Sequence, residues 1–315
     1  MKKHIIFITT LCSLFFASCE EKAPPEEKRL DGYIEEGLLP LFDTLINVYE
    51  AKDMNVDIAL KQADTYEAFR QLLSGRAPLL ISSRTYTPRE DSLMAAHEMD
   101  SLKRIAIAHD ALVLVTRKDF PLDTINHLEI AGYLSDKEYS LAGRYEQLSN
   151  EPKFLAPDSK SSVFASVSRH IFRYEPIVIE GRFANQSGSE NIVQDIKDGV
   201  ADIGFAFLSQ VAKDTTVSLL PVGYNSDDII GEDQVKEANE DLGKGQIYPK
   251  PVHQAYVTMR VYPYIVTHWV YLQKDKRLDN YFYFARYLAE GKESQRYFNE
   301  AGIQPEHAKI KLIPQ

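Results

Sequence analysis

The chain has 315 residues, of which 44% are hydrophobic, and its formal net charge is −10 at pH 7. This length and apolar content are enough for two lobes of ordinary domain size. The acidic balance, without any basic cluster, excludes nucleic acid as a partner and requires local donors for the capture of an anion.

The first eighteen residues predict an export signal. Lys2 and Lys3 precede an apolar run over residues 5–16, and small residues then stand directly before Cys19. Such a run is too short for a stable membrane span. The Ala-Ser-Cys junction resembles a bacterial lipobox, which implies that residues 1–18 are removed and that Cys19 is acylated. The alternative is an ordinary secreted protein in which Cys19 has no role.

Residues 19–29 are charged, contain two prolines and predict a tether between the membrane and a body that begins near Leu30. The body opens with alternating patterns. They predict a helix over 38–49, a strand over 56–60, a helix from Asp64 or Thr65 to Leu73, a strand over 79–81 and a helix from Thr87 through Met94. Alternation of this kind predicts an α/β fold with a mostly parallel sheet.

The same patterns continue along the rest of the body. They predict strands over 105–107, 111–115, 201–207 and 217–222, helices that open at Ser161 and Ser189, a long loop over 223–252, strands over 264–266 and 270–272, and a helical C-terminus. Gly302 and Pro305 close the last helix.

Four stretches together resemble one family. Residues 72–84 resemble its helix-turn-strand unit that ends in a Ser-Ser or Ser-Arg turn, and residues 107–115 its Ala-x-Asp-Ala strand. Residues 189–205 are similar to the helix before its Ile-Gly-Phe strand, and residues 262–305 to its Tyr-Pro strand and C-terminal helices. The family is that of the type II periplasmic binding proteins, specifically the phosphate-binding lipoproteins of ABC importers.

The resemblance implies a two-lobed α/β fold in which each lobe is a mostly parallel sheet flanked by helices. Residues 30–113 with 219–315 are expected to form lobe I and residues 114–218 lobe II, with two crossing strands as the hinge. It further implies a monomer without cofactor or enzymatic activity that holds inorganic phosphate or a related oxyanion. Its partner would be an ABC permease of the inner membrane, and its location the bacterial cell envelope.

The candidate ligand residues stand at strand ends and helix starts, where N–H and O–H donors can converge on an anion. In the first lobe they are Ser82, Ser83, Arg84, Asp64, Thr65, Gly32 and Tyr33; in the second lobe they are Ser161 and Ser162, expected to face Ser82–Arg84 across the cleft. Gly32 and Tyr33 fall where the family's first loop lies. For the serines, Asp64 and Thr65 the alternative is a role in turns or helix caps.

Arg84 marks a departure from the family. Phosphate-selective members carry an Asp in its turn and an Arg before the serine loop of the second lobe, where this chain has Ala156 and Pro157. Arg84 could supply the missing cation, since a guanidinium binds phosphate through two parallel bonds. Alternatively, it is solvated or paired with Asp110 or Glu90.

The sequence contains no histidine or cysteine spacing typical of a metal site and no nucleophile motif with supporting context. A second function is also compatible with the same fold. It is that of a sensing or accessory lipoprotein with a different small-molecule ligand.

Overall fold

The computed structural model describes residues 28–97, 102–174, 182–187, 191–224, 248–250, 252–258, 260, 262–276 and 279–307. The expected signal over 1–18, the acylated Cys19 and the tether up to residue 27 lie outside these residues. Lys28 and Arg29, expected in the tether, belong to the first strand. Within the part of the chain described, no helix is long and apolar enough to cross a membrane.

The N-terminal part alternates strands and helices. Its elements are β1 (Lys28–Glu35), α1 (Leu39–Lys52), β2 (Val56–Ala63), α2 (Thr65–Leu73), β3 (Leu79–Ser82), α3 (Pro88–Ala96) and β4 (Lys103–Arg117). Strand β1 lies between β2 and β3 and is parallel to both. Because parallel strands end at the same edge of a sheet, the residues that follow all three strands are neighbours.

Gly32 and Tyr33 lie inside β1, so their expected place in a ligand loop is wrong. They pair with Leu60 and Lys61 of β2. A Cβ at Gly32 would stand 2.9 Å from a methyl carbon of Leu60 and 3.0 Å from one of Leu79. Gly32 therefore allows close packing of strands, and the loop begins only after Glu35.

Strand β4 joins two sets of strands. The following elements are β5 (Ile125–Asn126), α4 (His127–Ser135), β6 (Phe154–Pro157), α5 (Ser162–His170), β7 (Phe183–Ser187), α6 (Ile192–Lys197), β8 (Ile203–Phe207), α7 (Leu208–Val211), β9 (Val217–Leu220), β10 (Val222–Tyr224), β11 (Tyr248–Lys250), α8 (Gln254–Thr258) and β12 (Ile265–Leu272). The first part of β4, up to Ala111, pairs with β12, and the part from Leu112 pairs with β8 and β9. One continuous strand thus replaces the two that the sequence predicts.

We call β1, β2, β3, β12 and residues 103–111 of β4 the first lobe. The second lobe is residues 112–117 of β4 with β6, β7, β8 and β9. In the second lobe β6 is parallel to β7 and to β8. Strands β5, β10 and β11 form a separate small sheet, in which β10 lies between the other two.

The sequence predicts that the chain returns to lobe I at residue 219. The structure does not show a return at that residue. Leu219 pairs with Val115, and Leu220 with Leu114, so β9 runs along the part of β4 that belongs to the second lobe. Strand β10 then pairs with β5. The apolar pattern of 217–222 predicts strand correctly, but it carries no information about which strand is its partner.

The C-terminal elements pack on the first lobe. They are α9 (Asn280–Glu290), α10 (Lys292–Glu300) and β13 (Gln304–Pro305), after a 3₁₀ turn over Lys274–Lys276. Phe298 of α10 contacts Phe42 of α1 with ring centres 5.7 Å apart. The backbone N–H of Asp31 donates to the Tyr281 hydroxyl, and β13 pairs with β4. The first lobe therefore contains both ends of the described chain.

Candidate functional site

The ends of β1, β2 and β3 bring a cluster of buried polar side chains together. Glu35 is the last residue of β1, Thr65 opens α2 after β2, Ser82 ends β3, and Ser83 follows it. The exposed fraction of each of these residues is 1% or less. The chain turns away directly after β1, where Gly37 has a φ of 84°, a conformation that favours glycine. That turn leaves the Glu35 side chain inside the cluster.

The Glu35 carboxylate is the common acceptor of this cluster. One of its oxygens accepts hydrogen bonds from the Thr65 hydroxyl at 2.6 Å and the Ser82 hydroxyl at 2.7 Å. Its other oxygen accepts from the Ser83 backbone N–H at 2.9 Å and the Ser83 hydroxyl at 2.8 Å. Three hydroxyls and one N–H thus hold a single anionic group, an arrangement that stabilises buried negative charge. We call Thr65, Ser82 and Ser83 the donor set.

Arg84 lies beside the donor set with all of its N–H donors in use. Its Nε donates to the Thr65 hydroxyl at 2.8 Å, and its two terminal nitrogens donate to the carbonyls of Thr85 and Thr65. The same two nitrogens donate to both carboxylate oxygens of Glu90, at 2.7 and 3.0 Å. A guanidinium has five N–H donors. Arg84 would therefore have to exchange a partner before it could bind a ligand, and it pairs with Glu90, one of the alternatives left open by the sequence.

Charge and packing hold Arg84 in this position. Its guanidinium carbon lies 3.8 Å from the centre of the Phe69 ring, and its Nε lies 4.0 Å from Glu35. Burial lowers the pKa of Arg84, but the hydrogen bond and charge of Glu90 and the charge of Glu35 outweigh it, so the pKa lies above its ordinary value. Arg84 is therefore a permanent cation inside the cluster.

The start of α3 orients Glu90. The Thr87 hydroxyl accepts from the Glu90 N–H, and the Glu90 carboxylate accepts from the Thr87 N–H at 2.8 Å. This capping box is encoded locally by the Thr-Pro-Arg-Glu sequence. It fixes the carboxylate that in turn binds Arg84.

Asp64 is the N-terminal cap of α2. Its carboxylate accepts from the N–H groups of Tyr66 and Glu67, at 3.1 and 2.9 Å, and so caps α2. The capping alternative accounts for both of these bonds. Its neighbour Thr65, in contrast, bonds with Glu35 and Arg84.

The loop before α5 brings the second lobe into contact with this site. Ser161 caps α5 by accepting from the Phe164 N–H at 3.1 Å. The Ser162 hydroxyl donates to the Glu36 carbonyl at 3.0 Å, and the Thr65 N–H donates to the Lys160 carbonyl at 3.0 Å. The two lobes thus meet at the residues next to the donor set, through Ser162 and Lys160.

Basic and aromatic groups of the second lobe lie close to this contact. Burial raises the pKa of Tyr174, while the charges of Arg169 and Arg84 lower it, so this phenol lies in the field of arginines from both lobes. Burial lowers the pKa of His170 well below its ordinary value. His170 is therefore uncharged at neutral pH, whereas the buried Arg169 is a cation of the second lobe that the sequence analysis did not select.

A separate cavity of about 660 Å³ lies next to the site. Its walls come from the Glu36–Leu41 turn, from the Ala206 to Lys213 region and from Val193 and Tyr297. Its volume is in the range of pockets that hold small organic ligands. Among the residues that the structure describes, no group of three or more His, Cys, Asp or Glu side chains could hold a metal ion.

Sequence reasoning selected the donor set and left Glu90 open as a partner of Arg84, but it missed Glu35. Glu35 ends an alternation of buried Leu30 and Ile34 with more exposed residues, and that alternation was the available signal for β1. Nothing local shows that the carboxylate is buried, because its partners lie 30 to 48 positions further along the chain.

The profile of a family described as bacterial extracellular solute-binding protein matches residues 30–304. No curated protein matches the chain. Residues on both sides of the two-lobe contact therefore fall within the matched segment.

Solved structures of low sequence identity share the fold. A phosphate ABC transporter substrate-binding protein from Clostridium perfringens, with bound phosphate, has a TM-score of 0.65 and 15% identity over 89% of this chain and 100% of its own. An ABC-type phosphate transport receptor from Vibrio cholerae has a TM-score of 0.63 and 13% identity over 87% and 99%. The CcmR regulatory domain from Synechocystis, in complex with 2-PG, has a TM-score of 0.51 and 15% identity over 83% and 95%. The predicted two-lobed α/β fold of periplasmic binding proteins is confirmed.

Proposed function

The chain belongs to the family of bacterial extracellular solute-binding proteins, and we propose that it captures inorganic phosphate or a similar oxyanion for an ABC importer. One observation carries this proposal. The donor set already holds an anionic group, since three hydroxyls and one N–H converge on the Glu35 carboxylate. The oxygens of phosphate need the same donors, and two structural relatives are described as a phosphate ABC transporter substrate-binding protein and an ABC-type phosphate transport receptor.

In this proposal the ligand lies between the lobes and exchanges with Glu35. The contacts of Ser162 and Lys160 with the first lobe support a site that both lobes complete. The two crossing segments are joined by a 2.9 Å hydrogen bond from the Leu112 N–H to the Tyr264 carbonyl. Closure about these two segments is the motion expected of such a protein.

Calorimetric titration of the full chain with phosphate, sulfate, molybdate and arsenate tests this function. The proposal predicts saturable binding of at least phosphate or one of its analogues, with one site per chain. Absence of heat with all four anions, from a folded protein, would contradict it.

The protein would act while attached to the bacterial cell envelope by lipid on Cys19, as a monomer that delivers its ligand to an inner-membrane permease. The sequence before Cys19 supports this location. Several acyl chains give a stable anchor, unlike a single one.

Replacing Cys19 tests the anchor. Cys19→Ser should give a folded protein that is released from the membrane fraction, because its thiol is the proposed acylation site. Metabolic labelling with a fatty acid, compared with a Cys12→Ser control that keeps the junction, measures the effect. Equal labelling of Cys19→Ser and the wild type would refute lipid attachment at Cys19.

A sensing or accessory role with a different small ligand is the second candidate. Two observations favour it: Glu35 fills the donor set, and the cavity of about 660 Å³ beside Glu36 suits an organic molecule. One structural relative is a regulatory domain. This candidate predicts that none of the four inorganic anions binds.

A further inference from the structure

We propose that Glu35 is a built-in competitor of the ligand, so that the donor set holds one anion at a time. This inference rests on the proposed function, because it concerns the same donor set. It makes Glu35 a residue that determines specificity, since an inorganic oxyanion can bind these donors only after the carboxylate has left them.

The hydroxyl and N–H groups of the donor set direct their protons to a single place, which suits an anion. The Thr65 oxygen accepts from Arg84 Nε at 2.8 Å, so its own proton is directed to Glu35 at 2.6 Å. Ser83 directs both its hydroxyl and its N–H to the other carboxylate oxygen. Loss of Glu35 would remove the acceptor of these Thr65 and Ser83 donors, and unsatisfied buried donors strongly favour a replacement anion. The Ser82 hydroxyl has a second acceptor, the Arg84 carbonyl at 3.2 Å.

Charge and space explain why two anions cannot share the donors. Arg84 is already paired with both oxygens of Glu90, so Glu35, Arg84 and Glu90 together carry two negative charges and one positive charge. A phosphate added beside the Glu35 carboxylate would meet its repulsion at short range. The carboxylate is also fully buried, which leaves no solvent-filled space against the donors.

The backbone next to Glu35 links its position to the second lobe. The Glu36 carbonyl accepts from the Ser162 hydroxyl, and the Glu36 N–H donates to the Ala63 carbonyl at 2.9 Å. Movement of this turn would alter the contact between the lobes. The turn that follows Glu35 is thus part of the contact between the two lobes.

The test compares the full chain carrying Glu35→Ala with the wild type and with Glu146→Ala, which removes the same charge from an exposed position away from the site. Formate and phosphate are the probes, with chloride at equal ionic strength as the reference. Thermal unfolding and calorimetric titration are measured for each protein. A ligand that binds the folded state raises its unfolding midpoint.

We expect formate and phosphate to raise the unfolding midpoint of Glu35→Ala, and to leave that of Glu146→Ala no higher than that of the wild type. Phosphate should bind Glu35→Ala at least about tenfold more tightly than the wild type, because apparent affinity is reduced by the fraction of molecules whose site is free. Phosphate affinity that is equal or lower in Glu35→Ala, without stabilisation by formate, would overturn the inference.

Two further results separate this inference from the proposed function. Stabilisation of Glu35→Ala by formate, with no phosphate binding to any of the proteins, supports Glu35 as the anion of this site and overturns oxyanion capture. Tight phosphate binding by the wild type that Glu35→Ala does not improve supports oxyanion capture and overturns the competitor. Should Glu35→Ala not fold, Glu35→Ser also removes the carboxylate and leaves room for an anion, and unchanged phosphate affinity there would equally overturn the inference.

Discussion

The Thr65 hydroxyl has a partner on each side within the buried cluster. It donates to Glu35 and accepts from Arg84, and the exposed fraction of its residue is 0%. A valine has nearly the same shape but can do neither. The stability of the cluster therefore depends on a hydroxyl oxygen at this position.

Thr65→Val should lower the free energy of unfolding by about 1–3 kcal/mol, since it leaves buried polar groups without a partner. Thr65→Ser keeps the hydroxyl and is the matched control. Chemical denaturation of both variants gives the comparison. If Thr65→Val were as stable as Thr65→Ser, the bridging role of the hydroxyl would be wrong.

Arg84 is the counter-ion of two carboxylates. Its replacement by alanine leaves Glu35 and Glu90 without their cation in a buried setting. We expect Arg84→Ala to cost about 3–5 kcal/mol of the free energy of unfolding, as for other broken buried ion pairs. The exposed neighbour Arg89 is the control, and Arg89→Ala should change it by less than about 0.5 kcal/mol. A loss below about 1 kcal/mol for Arg84→Ala would contradict its structural role.

At the scale of elements, the sequence predicted where strands and helices stand better than which of them are partners. Ser82, Ser83 and Thr65 were selected because they follow strands, and they do meet at one sheet edge. The buried position of Glu35 and the pairing of β9 with β4 depend on contacts between distant segments. The neighbouring residues of Glu35 and Leu219 in the sequence carry no information about those contacts. The burial of Glu35 and the pairing of β9 with β4 could therefore not be predicted.

The capping box of α3 connects an element to the site. Thr87→Ala removes the acceptor of the Glu90 N–H and should cost about 1 kcal/mol of stability. Ser92→Ala in the same helix is the control, because that hydroxyl is exposed and bonds only within its own helix. Denaturant melts of both variants measure the difference. Equal stability of the two would show that the cap does not hold this end of α3.

For the whole molecule, the proposed anion site lies where the two lobes meet. Strand β4 runs through both sheets, and Lys160 and Ser162 bring the second lobe to the residues beside the donor set. Exchange between Glu35 and a ligand would therefore take place at the contact between the lobes. A ligand bound at this position would contact both lobes and so favour their closure.

A crystal structure of full-length Glu35→Ala grown in phosphate would show directly whether an oxyanion replaces the Glu35 carboxylate. We expect a phosphate whose oxygens lie within about 3.2 Å of the Thr65 hydroxyl, the Ser82 hydroxyl and the Ser83 N–H, in the place that the carboxylate occupies in the wild type. A folded variant that has only water at these donors, with phosphate absent or bound elsewhere, would contradict it.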